Sequence, residues 1–189
     1  MKKILLLLAF FVVAFTTTAQ IETGLRSGLT ISGSLNSMTE VGKSESLIGW
    51  RFGYAMEYNL SERIYIGSGI ETATKGARID GFQVPLRYYY VQVPLNIGGR
   101  IPLVENTYLF GQLGAYASYA LFTTKYNVFG YGQISGEKFD WGFDAKVGVE
   151  FSGYQIHIGY DLGMRKVWKY ALSENVKHRS ISLGLTIPI

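Results

Sequence analysis

Residues 139–165 read FDWGFDAKVGVEFSGYQIHIGYDLGMR, and apolar and polar residues alternate along them. In 141–151 every second residue is apolar, and the residues between are polar or glycine. The same alternation resumes in 154–164, after only Ser152 and Gly153. Because successive side chains of a strand point to opposite faces, the pattern predicts two strands joined by a tight hairpin. Each strand then has one apolar and one polar face.

The same period-two pattern predicts strands along the rest of the chain. In 180–189, apolar residues fall at every second position, opposite serine, glycine, threonine and proline. The alternation is weaker in 21–33, 63–76 and 107–121, but its phase persists. The eight predicted strands are 21–33, 47–59, 63–76, 86–99, 107–121, 139–151, 154–165 and 180–189.

The predicted connections alternate in length. Short connections at 60–62, 100–106 and 152–153 alternate with long ones at 34–46, 77–85, 122–138 and 166–178. Short turns at one end and long loops at the other are typical of bacterial outer-membrane barrels, whose short turns face the periplasm. The sequence therefore predicts an all-β fold: an eight-stranded antiparallel up-and-down transmembrane β-barrel. Pairing of the first and last strands would leave no exposed edge.

The position of the aromatic residues favours a membrane barrel over a soluble one with an apolar interior. Aromatic girdles mark both interfaces of a membrane barrel. Near the long loops the sequence has Trp50, Tyr89, Tyr119, Phe122, Phe139 and Trp141, and near the short turns Tyr58, Tyr108, Phe110, Phe151 and Tyr154. We therefore expect the apolar face to meet lipid and the protein to lie in the outer membrane of a Gram-negative cell.

Residues 1–19 have the pattern of a cleaved signal peptide. Lys2 and Lys3 precede the apolar run 4–15, and Ala19 precedes the expected cleavage point. A helix over that run would reach about 18 Å, short of the roughly 30 Å of a hydrocarbon core. We expect a signal peptide at 1–19 and a single barrel domain at 20–189.

Composition excludes several classes of function. Removing Lys2 and Lys3 from the 18 basic residues leaves 16 against 14 acidic ones, so no nucleic-acid partner is expected. The absence of cysteine excludes disulfides, thiol catalysis and thiolate metal sites. No cofactor or metal site is predicted. The 14 Tyr, 11 Phe and 23 Gly suit many strands broken by turns.

Charged residues on the polar face predict a structural ion-pair network that fills the lumen. The predicted members are Glu22, Arg26, Arg51, Glu57, Glu71, Lys75, Asp144, Lys146, Glu150, Asp161 and Arg165. An eight-stranded barrel is just wide enough for side chains to fill it, and buried charges are costly unless they are paired. The alternative, a gated pore, is less favoured because open channels have many more strands.

Catalytic residues are not predicted. His157 shares a face with Asp161, and His178 lies near Ser180, but such spacings arise by chance in a chain rich in serine and aspartate. The basic residues of the last long connection, Lys166, Lys169, Lys177 and Arg179, are candidate contacts to lipid headgroup phosphates. Loop 122–138, aromatic and rich in glycine, is a second candidate contact surface.

Four segments resemble the PorT-like outer-membrane β-barrel family. They are 65–77 (YIGSGIETATKGA), 90–97 (YVQVPLNI), 109–119 (LFGQLGAYASY) and 139–151. The resemblance extends over the chain from about residue 20 and implies a small barrel of similar size. For function, the resemblance implies only a link to protein secretion. It implies no catalytic residues.

Four functions remain open. The first is a non-enzymatic barrel, porin-like in architecture, with a structural, adhesive or accessory role through its extracellular loops. The second is a component of a protein secretion or outer-membrane assembly complex. The third is a lipid-modifying outer-membrane enzyme, and the fourth a soluble ligand-binding barrel. The expected partners are outer-membrane lipid or lipopolysaccharide and proteins at the extracellular loops, and the expected state is a monomer.

Overall fold

The computed structural model describes residues 24–38, 44–79, 85–123, 126–128, 132–134, 137–167 and 176–189. Its elements are β1 (Leu25–Met38), β2 (Ser44–Glu45), β3 (Leu47–Asn59), β4 (Ile64–Ile79), β5 (Leu86–Val104), β6 (Thr107–Thr123), β7 (Tyr126–Val128), β8 (Gly132–Ile134), β9 (Phe139–Phe151), β10 (Tyr154–Gly163) and β11 (His178–Pro188). The predicted signal peptide lies outside the described residues, as does the predicted first strand before residue 24.

Eight long antiparallel strands form a closed barrel. Their order is β4-β3-β1-β11-β10-β9-β6-β5, and β5 pairs back with β4. The first and last strands pair over their length, from Gly28 opposite Pro188 to Met38 opposite His178. The predicted eight-stranded up-and-down barrel is therefore confirmed. The short strand β2 pairs with the end of β4, and β7 and β8 form a separate hairpin.

The described strands differ from the predicted ones mainly at their ends. β1 continues to Met38, and β5 continues to Val104, so the connection predicted at 100–106 is the turn at Glu105 and Asn106. Pro102 does not end β5, because the backbone N–H of Arg100 faces β4 and donates to Arg63 O at 2.8 Å. At Pro102, two residues later, β5 extends beyond the start of β4. The missing N–H of proline therefore costs no hydrogen bond between the strands.

The apolar face of the barrel points outward. Leu183, Ile156 and Phe143 are 63%, 61% and 52% exposed, whereas the residues that alternate with them are buried. A soluble barrel would bury these side chains and expose the polar ones. No helix in the described part of the chain is long and apolar enough to cross a membrane.

Most of the predicted aromatic positions lie on the outer face, but two do not. The exposed aromatic residues near the long loops are Trp50, Tyr89, Tyr119, Phe122, Phe139 and Trp141, and those near the short turns are Tyr58, Phe151 and Tyr154. The assignment of Phe110 to the outer face is wrong, because this side chain is 2% exposed and inward. Tyr108 lies directly opposite Glu150, which faces inward, so Tyr108 is on the inner face as well. Both residues have the parity of buried Tyr116 and Ser118 on β6.

A threonine side chain closes the wall where the β3–β4 ladder ends. The register of these strands extends only to Arg51 opposite Ala73. Beyond it, Thr74 Oγ1 accepts a hydrogen bond from Trp50 N at 2.7 Å and donates one to Trp50 O at 3.2 Å. The hydroxyl therefore replaces the missing ladder partners, as buried backbone groups require.

Candidate functional site: the lumen and the rim

The half of the lumen nearer the long loops contains a buried group of five charges, which we call the central cluster: Arg51, Glu71, Lys75, Asp140 and Asp161. Arg51 pairs with Asp161 at 2.5 Å and with Glu71 at 3.2 Å. Lys75 Nζ lies 3.5 Å from Asp140 and 4.0 Å from Asp161. All five are at most 6% exposed. Charges at this depth are stable only when paired.

Neutral side chains complete the central cluster. Gln92 Nε2 donates to Glu71 at 3.0 Å and to Asp161 at 3.3 Å. Tyr116 donates its hydroxyl to Asp140 at 3.1 Å, and its ring lies under Lys75 Nζ, 3.9 Å from the centroid. These contacts tie six strands together across the lumen, since the central cluster and its neutral partners come from β3, β4, β5, β6, β9 and β10, of which only neighbours share a ladder.

A second group, the short-turn cluster, lies at the opposite end and consists of Arg26, Glu57, Arg100 and Glu150. Arg100 pairs with Glu57 through Nη2 and with Glu150 through Nε at 2.9 Å. Arg26 reaches the other oxygen of Glu150 at 2.6 Å. The side chain of Arg26 is 33% exposed and that of Glu57 is 12% exposed. This cluster is therefore open to water, unlike the central one.

Between the clusters lies an internal cavity of about 30 Å³. A cavity of this size is far smaller than an aqueous channel. Lys146, His157 and Phe110 line it. Nearby, Asp144 accepts a hydrogen bond from Asn96 at 2.9 Å.

An apolar plug covers the central cluster at the long-loop end. It consists of buried residues from four strands and from the last long connection: Met38, Ala77, Leu86, Tyr88, Tyr90, Ala120, Val167 and Val176. Val167 N donates to Val176 O at 2.9 Å, and Glu137 N donates to Val167 O at 2.8 Å. These backbone bonds hold Val167 and Val176, the described ends of this connection, at the barrel mouth. The lumen is thus closed by apolar packing above paired charges.

The structure assigns different environments to the remaining predicted lumen residues. Glu22 lies outside the described residues. Arg165 does not join the lumen clusters: it pairs with Glu137 at 3.2 Å, its side chain is 40% exposed, and its guanidinium lies 5.4 Å from the Phe139 ring centroid. Arg100 and Asp140 belong to the clusters but were not among the predicted members. Asp140 shares the polar face of β9, so alternation places it there, whereas the sequence predicts a connection at Arg100.

Both histidines are buried. His157 is 4% exposed and packs against Gly184, where an added Cβ would lie 2.6 Å from Nε2. His178 is 3% exposed, and its Nε2 lies 3.3 Å from the hydroxyl of Tyr90. Among the described residues, no group of three or more His, Asp or Glu side chains could hold a metal ion.

The predicted headgroup contacts lie at the long-loop rim. Lys166 and Arg179 are exposed, and Lys177 is half-buried. Arg179 lies on the outer face of β11, because its neighbours His178 and Ser180 point inward. Lys169 lies outside the described residues.

A closed eight-stranded barrel with an apolar exterior and an ion-paired interior defines a small outer-membrane β-barrel protein. The sequence agrees: a family model described as "Outer membrane protein beta-barrel domain" matches residues 16–169. The chain belongs to this family. Its place is the outer membrane, as predicted.

Solved structures share this fold. The outer membrane protein OprG of Pseudomonas aeruginosa superposes with a TM-score of 0.55 at 9% identity, over 87% of this chain and 94% of that chain. Neisserial surface protein A gives 0.54 at 10% identity, over 87% and 97%. Ail, the attachment invasion locus protein of Yersinia pestis, gives 0.49 at 17% identity, over 89% and 100%. No curated protein matches the sequence. At these identities the likeness concerns the fold alone.

Proposed function

We propose that this protein is a non-enzymatic outer-membrane barrel with a side-chain-filled lumen, which acts through its extracellular loops in a structural, adhesive or accessory role. It functions as a monomer surrounded by outer-membrane lipid, and its protein partners bind at the long loops. The carrying observation is the closure of the lumen. Transport would have to displace the apolar plug and separate the paired charges of the central cluster.

The burial of both histidines supports the non-enzymatic part of the proposal. A general base must come within hydrogen-bond reach of a substrate. His178 is enclosed by Tyr88 and Tyr90, whose ring centroids lie 5.4 and 5.8 Å from its own. A lipid-modifying activity would require a lipid to enter this packed region. Substitution of His157 or His178 by Asn is therefore expected to leave the cellular lipid A and phospholipid profiles unchanged by mass spectrometry; a changed profile in a correctly folded variant contradicts the proposal.

Planar bilayer recordings test the closed lumen. The purified protein is expected to fold, shown by faster migration of the unboiled sample in gels, and to give no stable conductance steps. The double variant K75A/D140A removes one ion pair of the central cluster and is also expected to stay closed, because the apolar plug and the Arg51 pairs remain. Stable conductance by the unmodified, folded protein would overturn the proposal.

Loop replacement tests the extracellular role. Exchanging residues 124–136 for a short Gly–Ser turn leaves the eight barrel strands intact, because β7 and β8 pair only with each other. We expect normal heat-modifiable migration together with loss of cell adhesion to surfaces or of accessory function in whole cells. If both functions survive this exchange and a matching exchange of 168–175, the loops are not the working surface.

One observation favours a second candidate, an accessory role in protein secretion or outer-membrane assembly, in keeping with the PorT-like sequence segments. The β5–β6 hairpin at the periplasmic end exposes Ile101, Leu103 and Val104 by 62%, 54% and 69%. Apolar side chains at such an end suit contact with a periplasmic partner. Cross-linking from position 104 in intact cells tests this: a specific protein adduct, lost in L103S/V104S, supports it, and lipid adducts alone oppose it.

A further inference from the structure

Three exposed cations lie together at the extracellular rim of β9, β10 and β11. Lys138 precedes β9, Lys166 follows β10, and Arg179 lies on the outer face of β11. The backbone brings them together: the Glu137–Val167 hydrogen bond places Lys138 beside Lys166, and Arg179 lies opposite Leu162 of β10. We call these three residues the basic rim.

The basic rim is not neutralised by carboxylates. Within the described residues, none of its three cations forms an ion pair. Glu137, which directly precedes Lys138, pairs with Arg165 at 3.2 Å. By contrast, exposed Arg78 on the other side of the barrel has Glu45 at 3.9 Å. The positive charge of the basic rim is therefore available to a ligand.

The aromatic band just below fixes the depth of the basic rim. Tyr119, Phe139 and Trp141 are exposed on the outer face of β6 and β9. They lie where these two strands meet the long loops. Exposed aromatic rings of this kind sit at the headgroup level of a membrane. Lys138 directly precedes Phe139, and Lys166 lies beside Lys138, so these two cations lie next to the level of the headgroup phosphates. Charge-assisted hydrogen bonds to phosphate are strong.

We propose that Lys138, Lys166 and Arg179 form a binding site for the phosphate group of an outer-leaflet lipid headgroup. The site rests on the proposed function only in its orientation, with the long loops outside. It adds a defined lipid ligand to the barrel, and it predicts that one sector of the barrel wall holds phosphate-bearing lipid while the rest exchanges its lipids freely.

Native mass spectrometry of the purified protein in neutral detergent micelles tests the site, with diphosphorylated lipid A as the probe. The double variant K166Q/R179Q removes two cations of the basic rim, and R63Q/R78Q removes two exposed cations elsewhere. We expect affinity to fall about thirty-fold in the first variant, at about 1 kcal/mol per removed charge, and less than about two-fold in the control. Lys138→Gln alone is expected to weaken binding about five-fold.

Two further probes separate the possible sources of phosphate. Dephosphorylated lipid A is expected to bind no better to the unmodified protein than to K166Q/R179Q. Inorganic phosphate at millimolar concentration is expected to leave lipid A bound, because it lacks the acyl chains that pack on the barrel wall. Equal losses in the two double variants overturn the proposal, and so does displacement by inorganic phosphate. Heat-modifiable migration is measured in parallel, so that a folded barrel without lipid A binding refutes this site and leaves the loop function untouched.

Discussion

The central cluster and the short-turn cluster contain the same chemistry at different depths. In each, one arginine joins two carboxylates: Arg51 holds Glu71 and Asp161, and Arg100 holds Glu57 and Glu150. The central cluster lies under the apolar plug, whereas water reaches the short-turn cluster through Arg26 and Glu57. Because an unpaired buried charge is far more costly than an exposed one, the same substitution should have very different effects in the two places.

The largest effect is expected from Arg51→Met. The substitution leaves Asp161 and Glu71 as buried carboxylates that keep contacts to Lys75 and Gln92 but have lost their arginine. Removing one partner of a buried ion pair costs about 3–5 kcal/mol. Urea-induced unfolding in lipid vesicles, followed by gel migration of unboiled samples, measures the loss.

The triple variant R51M/E71L/D161L serves as the control for Arg51→Met. It removes the charges together and is expected to recover most of the lost stability, since apolar replacement of a whole buried network is often neutral. A loss in Arg51→Met below about 1 kcal/mol would show that water reaches the central cluster, and the contrast between the clusters would fail.

A smaller effect is expected from Arg100→Met in the short-turn cluster. Glu150 keeps Arg26 as a partner, and Glu57 can turn toward water and toward Gln155, which donates to it at 2.9 Å. We expect a loss of about 2 kcal/mol, between the values for buried and exposed pairs. The same urea titration measures it beside Arg51→Met. If Arg100→Met loses as much stability as Arg51→Met or more, the short-turn cluster is not the more solvent-accessible of the two.

The sequence predicts the strands and faces of this barrel better than the partners inside it. Alternation in 139–151 and 154–165 specifies which side chains point inward, since it is a property of each strand alone. Which inward residues meet across the lumen depends on the stagger between strands, and no local pattern encodes that stagger. The sequence therefore predicts that Arg51 and Asp161 lie on the inner face, but not that they pair with each other.

The errors have local causes of the same kind. The connection predicted at 100–106 leaves Arg100 outside the predicted strands, whereas the pairing of Arg100 with Phe110 and of Ile101 with Leu109 extends β5. Phe110 was assigned to a girdle because aromatic residues at strand ends commonly face lipid. Inside this barrel, glycines make room for large inward rings: a Cβ at Gly98 would overlap the Tyr65 ring.

Two tyrosines, one in each half of the lumen, allow the two environments to be compared with substitutions that keep the shape of the side chain. Tyr116 and Tyr65 each lie under a cation, with Lys75 at 3.9 Å and Arg100 at 4.1 Å from the ring centroids. The hydroxyl of Tyr116 donates to the carboxylate of Asp140, whereas that of Tyr65 donates to the neutral Gln112, both at 3.1 Å. Phenylalanine keeps each ring and removes the hydroxyl.

Hydrogen bonds to charged groups contribute about 1.5–3 kcal/mol and neutral ones about 0.5–1.5 kcal/mol. We therefore expect Tyr116→Phe to cost about 1.5 kcal/mol and Tyr65→Phe about 0.7 kcal/mol, again from urea titrations. If Tyr65→Phe proves the more costly, the charge of the acceptor does not govern the difference.

The smallest effect is expected from Arg26→Gln, and its dependence on salt tests the depth of both clusters. Arg26 is one-third exposed, and Glu150 retains Arg100 without it, so the loss should stay below about 1 kcal/mol at low ionic strength. Since the Debye length falls to about 3 Å at 1 M salt, the loss should disappear there. The cost of Arg51→Met should persist at 1 M salt, because ions do not enter the lumen beneath the apolar plug. If salt reduces both costs equally, ions reach the central cluster and the closed lumen must be abandoned.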